Sequence, residues 1–156
     1  MRIFAIDLGD QRTGLALADR TTGIASPAGL VEIPIDRNNG QTLVTEIMRQ
    51  FQHQAGGPDT EIVIGMPLNM DGTEGPRAHF VRAFATKLAT RLDRPIVLVD
   101  ERRTSKAADE RMAQSGLTHK QKKQRRDAIA AASIAQLYLD KPDSSVIATI
   151  DPVEHV

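Results

Sequence analysis

A chain of 156 residues, 40% hydrophobic and 26% charged, is long enough to bury one core and has the composition of an ordinary globular domain. It has no cysteine, which excludes disulfides and thiolate metal sites and makes a reducing cytoplasm the expected setting. Twenty Lys and Arg balance twenty Asp and Glu, so any affinity for nucleic acid must come from where the charge sits rather than from its total.

The chain opens with two short apolar runs, Ile3 to Ile6 and Leu15 to Ala18, on either side of a polar turn bounded by Gly9 and Gly14. Both are too short for helices and predict the strands of a hairpin. The first run is apolar on both faces, which suits a strand in the middle of a sheet. Asp7 ends it where side chains should be leaving water. A buried carboxylate is costly unless a cation or several donors meet it, so Asp7 is the first candidate ligand of a metal. The turn is not a nucleotide P-loop, because Leu15 and Ala16 stand where such a loop needs Lys and Ser or Thr.

A third strand is predicted over Gly29 to Ile33, ended by Pro34, and a turn over Asp36 to Gly40. Leu43, Val44, Ile47 and Phe51 then give helical spacing to Gln41–Gln54. Glu61 to Gly65 predicts a fourth, buried strand, followed by a polar loop from Met66 to Pro76 that carries Asn69 and Asp71. Function often sits on such loops. Phe80, Val81, Phe84, Leu88 and Leu92 predict a helix over Arg77–Leu92. His79 has Ala83 at i+4, and no His pair has ligand spacing, which argues against zinc.

Ile96 to Val99 repeats the opening pattern, an apolar strand running into the acids Asp100 and Glu101 and then Arg102. Adjacent strand residues face opposite ways, so one of the two acids should meet Asp7, with Glu101 the first choice and Asp100 the second. A helix is expected over Lys106–Gln114, capped by Thr104 or Ser105. A last helix from about His119 to Leu139 begins with Lys120, Lys122, Lys123, Arg125 and Arg126, a cationic run suited to tracking a phosphate backbone. Asp127 follows on the same face as Ala131, Ile134 and Tyr138, an odd leader for a packed stripe. Residues 1–139 are expected to form one domain, with 140–156 as a tail packing on it or trailing from it.

Three strands in a meander followed by alternating helices and strands imply a mixed sheet with helices on its faces. That element order matches the ribonuclease H-like fold, with five strands, the first three antiparallel. The motifs Asp7-Leu8-Gly9, Gly65-Met66-Pro67-Leu68-Asn69-Met70-Asp71-Gly72, Asp100-Glu101-Arg102 with Thr104, and Asp127-Ala128-Ile129-Ala130-Ala131 resemble the YqgF/RuvX family over nearly the whole chain. That family is described as Holliday junction resolvases or pre-16S ribosomal RNA nucleases.

The resemblance implies a cytoplasmic bacterial nuclease in which Asp7, Glu101 (or Asp100) and Asp127 hold Mg²⁺, with Mn²⁺ as the alternative. It also implies precursor rRNA or branched DNA as the nucleic-acid partner. Arg12 and Arg102 are candidates for flanking phosphates and Asn69 for the rim of the groove. Gln11 stands where the family usually has Lys, which removes one phosphate contact. A monomer or a homodimer fits the sequence, and a junction resolvase would need the symmetric dimer. Two other classes compete. A sugar-kinase or actin-like phosphate-binding protein would need a second Asp-x-Gly and a longer chain. A nucleic-acid-binding factor without catalysis would keep the basic run and dispense with the acids.

Overall fold

A computed structural model describes residues 1–102 and 119–154, leaving aside the side chains of 119–125. The helix expected over Lys106–Gln114, and its Thr104 or Ser105 cap, lie outside the described residues. The elements, in chain order, are β1 (Arg2–Asp7), β2 (Thr13–Asp19), β3 (Ile24–Val31), α1 (Gln41–Ala55), β4 (Glu61–Met66), α2 (Pro76–Leu92), β5 (Ile96–Asp100), α3 (His119–Asp140), a single turn α4 (Pro142–Ser145) and β6 (Val146–Ile150). They build one sheet in the order β3-β2-β1-β4-β5-β6. The first three strands are antiparallel, β1, β4 and β5 are parallel, and β6 returns antiparallel to β5. The expected sheet of five strands therefore has a sixth, drawn from the tail.

β1 is central, and its side chains divide between two cores. Phe4 and Ile6 enter the core under α1 and α2, whereas Ile3 and Ala5 enter the core under α3. Every residue from Ile3 to Ile6 is fully buried, which is why the run reads as continuously apolar. By the same alternation Asp7 points to the α3 side. On the first face α1 buries Leu43, Val44, Ile47 and Phe51, and the ring of Phe51 meets that of Phe4 edge to face at 5.5 Å. α2 buries Ala78, Val81, Phe84, Ala85, Leu88 and Ala89. Phe80, expected on that stripe, is exposed; Ala78, Ala85 and Ala89 join Val81, Phe84 and Leu88 on the buried face instead.

β3 begins earlier than expected and contains Pro27 and Gly29. Both are poor strand residues, and both are tolerated because β3 is the edge of the sheet. A bulge between Leu15 and Ala16 accommodates the irregular partner.

On the second face, α3 lays Ala128, Ala131, Ala132, Ile134, Ala135 and Tyr138 on a sheet surface that is itself built of Ala5, Ala16 and Ala18. Small against small permits close approach. The far end of α3 is stapled to the sheet by Glu61, which accepts from the Tyr138 hydroxyl at 2.7 Å and from Arg20 Nε at 2.6 Å. No helix among the described residues is long and apolar enough to cross a membrane.

At the other end the approach is closest at Gly14. A methyl group there would stand 1.9 Å from the carbonyl oxygen of Asp127 and 2.8 Å from the nitrogen of Ala128. Backbone cannot yield as a flexible side chain does, so α3 would have to lift. Gly14→Ala is expected to cost at least about 2 kcal/mol of stability in urea unfolding. A loss within experimental error would mean that α3 does not rest on β2 at this point.

Candidate active site

The parallel strands β1, β4 and β5 all end at the same edge of the sheet. Their register puts Ile64 beside Ile6 and Leu98, and Met66 beside Asp100. Gly65 is therefore on the middle strand between Asp7 and the end of β5, with its hydrogen facing α3. A methyl group at Gly65 would stand 2.4 Å from Glu101 Oε2 and 2.5 Å from Ile134 Cδ1. Glu101 thus lies across the place where a side chain on β4 would be. Adjacent strands are about 4.8 Å apart, so reaching from β5 to β1 over β4 takes a side chain of glutamate's length and an empty position beneath it.

The carboxyls of Asp7 and Glu101 are hydrogen-bonded to each other, a contact that raises Asp7 and lowers Glu101. Burial pushes Asp7 up to about 8, and the negative charges of Glu101 and Asp127 add to that push. Glu101 is also raised, by burial first, while the Asp7 hydrogen bond and the charge of Arg77 pull the other way. Asp127, brought over the pair by α3, is raised by burial and lowered by the charges of Arg12 and Arg126. Two ionised carboxylates in one partly dry place repel each other, and a shared proton is the relief open to them when no cation is present.

Asp100 lies elsewhere. Its carboxylate accepts from Arg102 Nη2 at 2.8 Å and from Nε at 3.0 and 3.1 Å, and also from the Arg102 backbone N–H at 3.0 Å. Arg102 Nη1 reaches the Met70 carbonyl at 3.3 Å. This arginine therefore ties the end of β5 to the loop after β4. Asn69 on that loop donates to Thr73 Oγ1 at 3.0 Å. Arg12, expected to be open for a phosphate, has its Nε 3.5 Å from Asp127 Oδ2. The side chains of Lys120, Lys122, Lys123 and Arg125 lie outside the described residues; Arg126 is exposed.

Arg77, at the start of α2, went unnoticed in the sequence. Its Nη2 donates to the Leu8 carbonyl at 2.9 Å and its Nη1 pairs with the Asp10 carboxylate. It thereby joins α2 to the turn directly after Asp7. Nothing in the local pattern marks it, since it reads as a solvated residue of a helix's first turn. Gly14 and Gly65 did carry a signal, because an isolated glycine in a strand often marks the close approach of another chain segment or ligand.

Hard oxygen donors are what a divalent cation such as Mg²⁺ takes, and one or two carboxylates with waters and substrate phosphate complete its shell. The Asp7–Glu101 pair fits that requirement, and Asp127 lies near enough to act electrostatically on it. Among the described residues no three His, Asp or Glu side chains already form a ligand cluster, so the tight contact is the pair.

A mixed sheet with acids at the carboxyl ends of its parallel strands, and a helix bringing a further acid over them, defines a protein of the ribonuclease H-like class. Solved structures that share this fold include two resolvases with their junction substrates. One is a RuvC of T. thermophilus in complex with a Holliday junction substrate, at TM-score 0.54 and 13% identity over 94% of this chain and 99% of that one. The other is a Fowlpox virus resolvase with its substrate Holliday junction DNA, at TM-score 0.54 and 12% identity over 92% and 100%.

The chain belongs to the RuvX family, whose model, described as Holliday junction resolvase, matches residues 1–141. Relatives from Anaeromyxobacter sp. (strain K) and Roseiflexus sp. (strain RS-1) are 39% and 35% identical over 143 and 139 residues. These matches cover 90% and 89% of this chain and 98% and 94% of those proteins, both of which carry the name "Putative pre-16S rRNA nuclease". The expected family, fold and nuclease class agree with these matches.

The raised Asp7 carboxyl has a consequence for stability in cation-free buffer. Unfolded, the group titrates near its ordinary value of 3.8; folded, it titrates at about 8. Between those values the folded chain holds a proton that the unfolded chain has released, so stability falls as pH rises from about 4 to about 8. Asp7→Asn removes that cost. Calorimetry in EDTA is expected to show the variant melting on the order of 5 °C above the parent at pH 8, with the difference gone near pH 4. Parallel pH profiles would show that Asp7 ionises as freely folded as unfolded.

Proposed function

We propose that this chain is a divalent-cation-dependent endonuclease that hydrolyses phosphodiester bonds, and that its substrate is the 5′ region of precursor 16S ribosomal RNA. The observation that carries the reading is the hydrogen-bonded contact of Asp7 and Glu101 over Gly65. A pair of acids forced together out of water costs stability that a purely structural site would avoid. The names of the curated relatives support the choice of RNA.

Asp7 and Glu101 are the residues that would hold the cation, with Asp127 at its margin. When bound, Mg²⁺ or Mn²⁺ would supply a water of lowered pKa and positive charge for the oxygens of the phosphate. The chain's own part is to give up the proton shared by Asp7 and Glu101, so that both carboxylates present oxygen lone pairs. Gly65 keeps the space between them clear. Arg12 holds Asp127 beside the pair, and Arg102 fixes the loop that borders it. The cationic run from Lys120 to Arg126 supplies backbone attraction without sequence preference.

A second reading is cleavage of four-way DNA junctions. The family's description as Holliday junction resolvase favours it, as do the Holliday junctions bound in the T. thermophilus RuvC and Fowlpox virus resolvase structures. It requires two sites acting on opposed strands, hence a symmetric dimer. A non-catalytic nucleic-acid-binding factor is the third outcome the assays distinguish.

With Mg²⁺ or Mn²⁺ present, the parent is expected to cleave a precursor 16S transcript and Asp7→Asn to lose at least about 10³-fold in rate, without loss of folded structure by circular dichroism. Preference for a junction substrate over the transcript, together with a dimeric mass in solution, would move the assignment to the second reading. Full activity of the Asn variant would take Asp7 out of the chemistry. Gly65→Ala, which puts a methyl group into the space Glu101 occupies, is expected to cut the rate about 10²-fold or more. Wild-type cleavage by that variant would mean that Glu101 need not reach over β4.

A further inference from the structure

Of the arginines around the acids, Arg102, Arg12 and Arg77 each pair with an aspartate. They are not equally held. Arg102 is gripped through several nitrogens by an Asp100 side chain that is 21% exposed. Arg12 pairs with an Asp127 side chain that is 27% exposed. The partner of Arg77 is Asp10, 76% exposed, at the tip of the turn that follows β1. An ion pair with so exposed a member is screened and contributes little. It is the pair a competing anion displaces most easily.

Arg77 is also well placed to meet such an anion. Its second anchor, the Leu8 carbonyl, belongs to the residue next to Asp7. Two of the five guanidinium N–H donors are used on Leu8 and Asp10; the remaining donors have no partner among the described residues. The side chain is 39% exposed. Its charge is felt at both buried acids, where it opposes the upward push that burial gives Asp7 and Glu101. Tied to the residue beside Asp7, the guanidinium is within reach of a phosphate next to the one held by the acids. The bond to Leu8 keeps the guanidinium in place whether or not Asp10 is attached.

We propose that Arg77 is a substrate-phosphate contact on the β1 side of the site, and that Asp10 is a placeholder carboxylate which the incoming phosphate displaces. This deepens the nuclease reading and rests on it, since it supplies that site with a grip on the strand beside the scissile bond. No bond is made or broken in the step; one anion replaces another on a fixed guanidinium. A plain structural clamp would use the same contacts, but the two roles differ in the sign of one effect. If Asp10 only braces the turn, removing either partner loosens it and weakens binding. If Asp10 competes with phosphate, removing it strengthens binding.

The test is binding of a fluorescein-labelled precursor 16S RNA fragment and of a labelled four-way DNA junction, by anisotropy in EDTA, so that no cleavage intervenes. Asp10→Asn is expected to tighten binding roughly twofold to fivefold. Arg77→Gln is expected to weaken it roughly fivefold and to lower the slope of log affinity against log salt by about 1. Asp10→Asn made in the Arg77→Gln background is expected to change nothing, because the competition needs its arginine. Weaker or unchanged binding by Asp10→Asn overturns the proposal, and so does an equal gain in both backgrounds, which would be general charge removal. Asp10 is exposed, so its variant reports even if Arg77→Gln folds poorly. A parent that binds neither probe defeats the nuclease reading and this inference together; a parent that binds while Arg77→Gln matches it defeats this inference alone.

Discussion

The carboxyls of Asp7 and Glu101 come from strands that are not neighbours, and they meet only because the strand between them has no side chain at Gly65. That contact is unfavourable taken alone. It removes two acids from water and brings like charges together, and one of them keeps its proton as a result. It persists because both backbones are fixed by something stronger. β1 is hydrogen-bonded on both sides and buried on both faces, and β5 is pinned between β4 and β6. Neither strand end can withdraw its acid without breaking a ladder. The apolar cores on the two faces of the sheet thus offset a local cost at its edge.

The same logic governs the third acid. Asp127 is placed by α3, and α3 is placed by two fixed points. One is the bare backbone of Gly14, which the helix touches at Asp127 itself. The other, about 16 Å along the helix axis, is Tyr138, held by Glu61 and overlain by the Arg20 guanidinium at 5.4 Å. Between them the buried face of the helix is Ala131, Ala132, Ile134 and Ala135, set on Ile3, Ala5, Ala16, Ala18, Val63 and Val99 of the sheet. Such a surface has few rotamers to adjust, so the height of the helix over the sheet is set by backbone and not by side-chain fit. Rigidity at both ends places a carboxylate more finely than a loop does.

How far the sequence carried this site depends on the range of each interaction. Asp7 was legible because its anomaly is local, a charge at the end of a run buried on both faces. The strand pattern also made clear that Asp100 and Glu101 must diverge. It does not say which one faces Asp7, because that depends on a missing side chain on the strand between them and on one methylene of reach. The third strand, expected over Gly29 to Ile33, spans Ile24–Val31, and it accommodates Pro27 only because it is the edge of the sheet. β6 was left open because a short polar-flanked segment becomes a strand only when a partner such as β5 is exposed to it. Arg12 and Arg77 show the same limit from the other side. Both are identifiable as cations, yet what each one holds is decided by contacts 115 and 67 residues away along the chain.

A chain whose formal charges cancel has no general field with which to collect a polyanion, so attraction must be local and conditional. Around the acids the condition is visible as three arginine–aspartate pairs, Arg12 with Asp127, Arg77 with Asp10 and Arg102 with Asp100. At rest these pairs neutralise one another and hold the turn, the loop and the helix in register. On the exchange proposed for Arg77, a phosphate takes a guanidinium from its aspartate, and the ease of that exchange rises with the exposure of the aspartate. Buried partners therefore act as structure, and an exposed partner leaves its arginine available. On this ground a site can be at once well ordered without substrate and ready to bind it, because the pairs that fix its geometry and the pair that gives way are different ones.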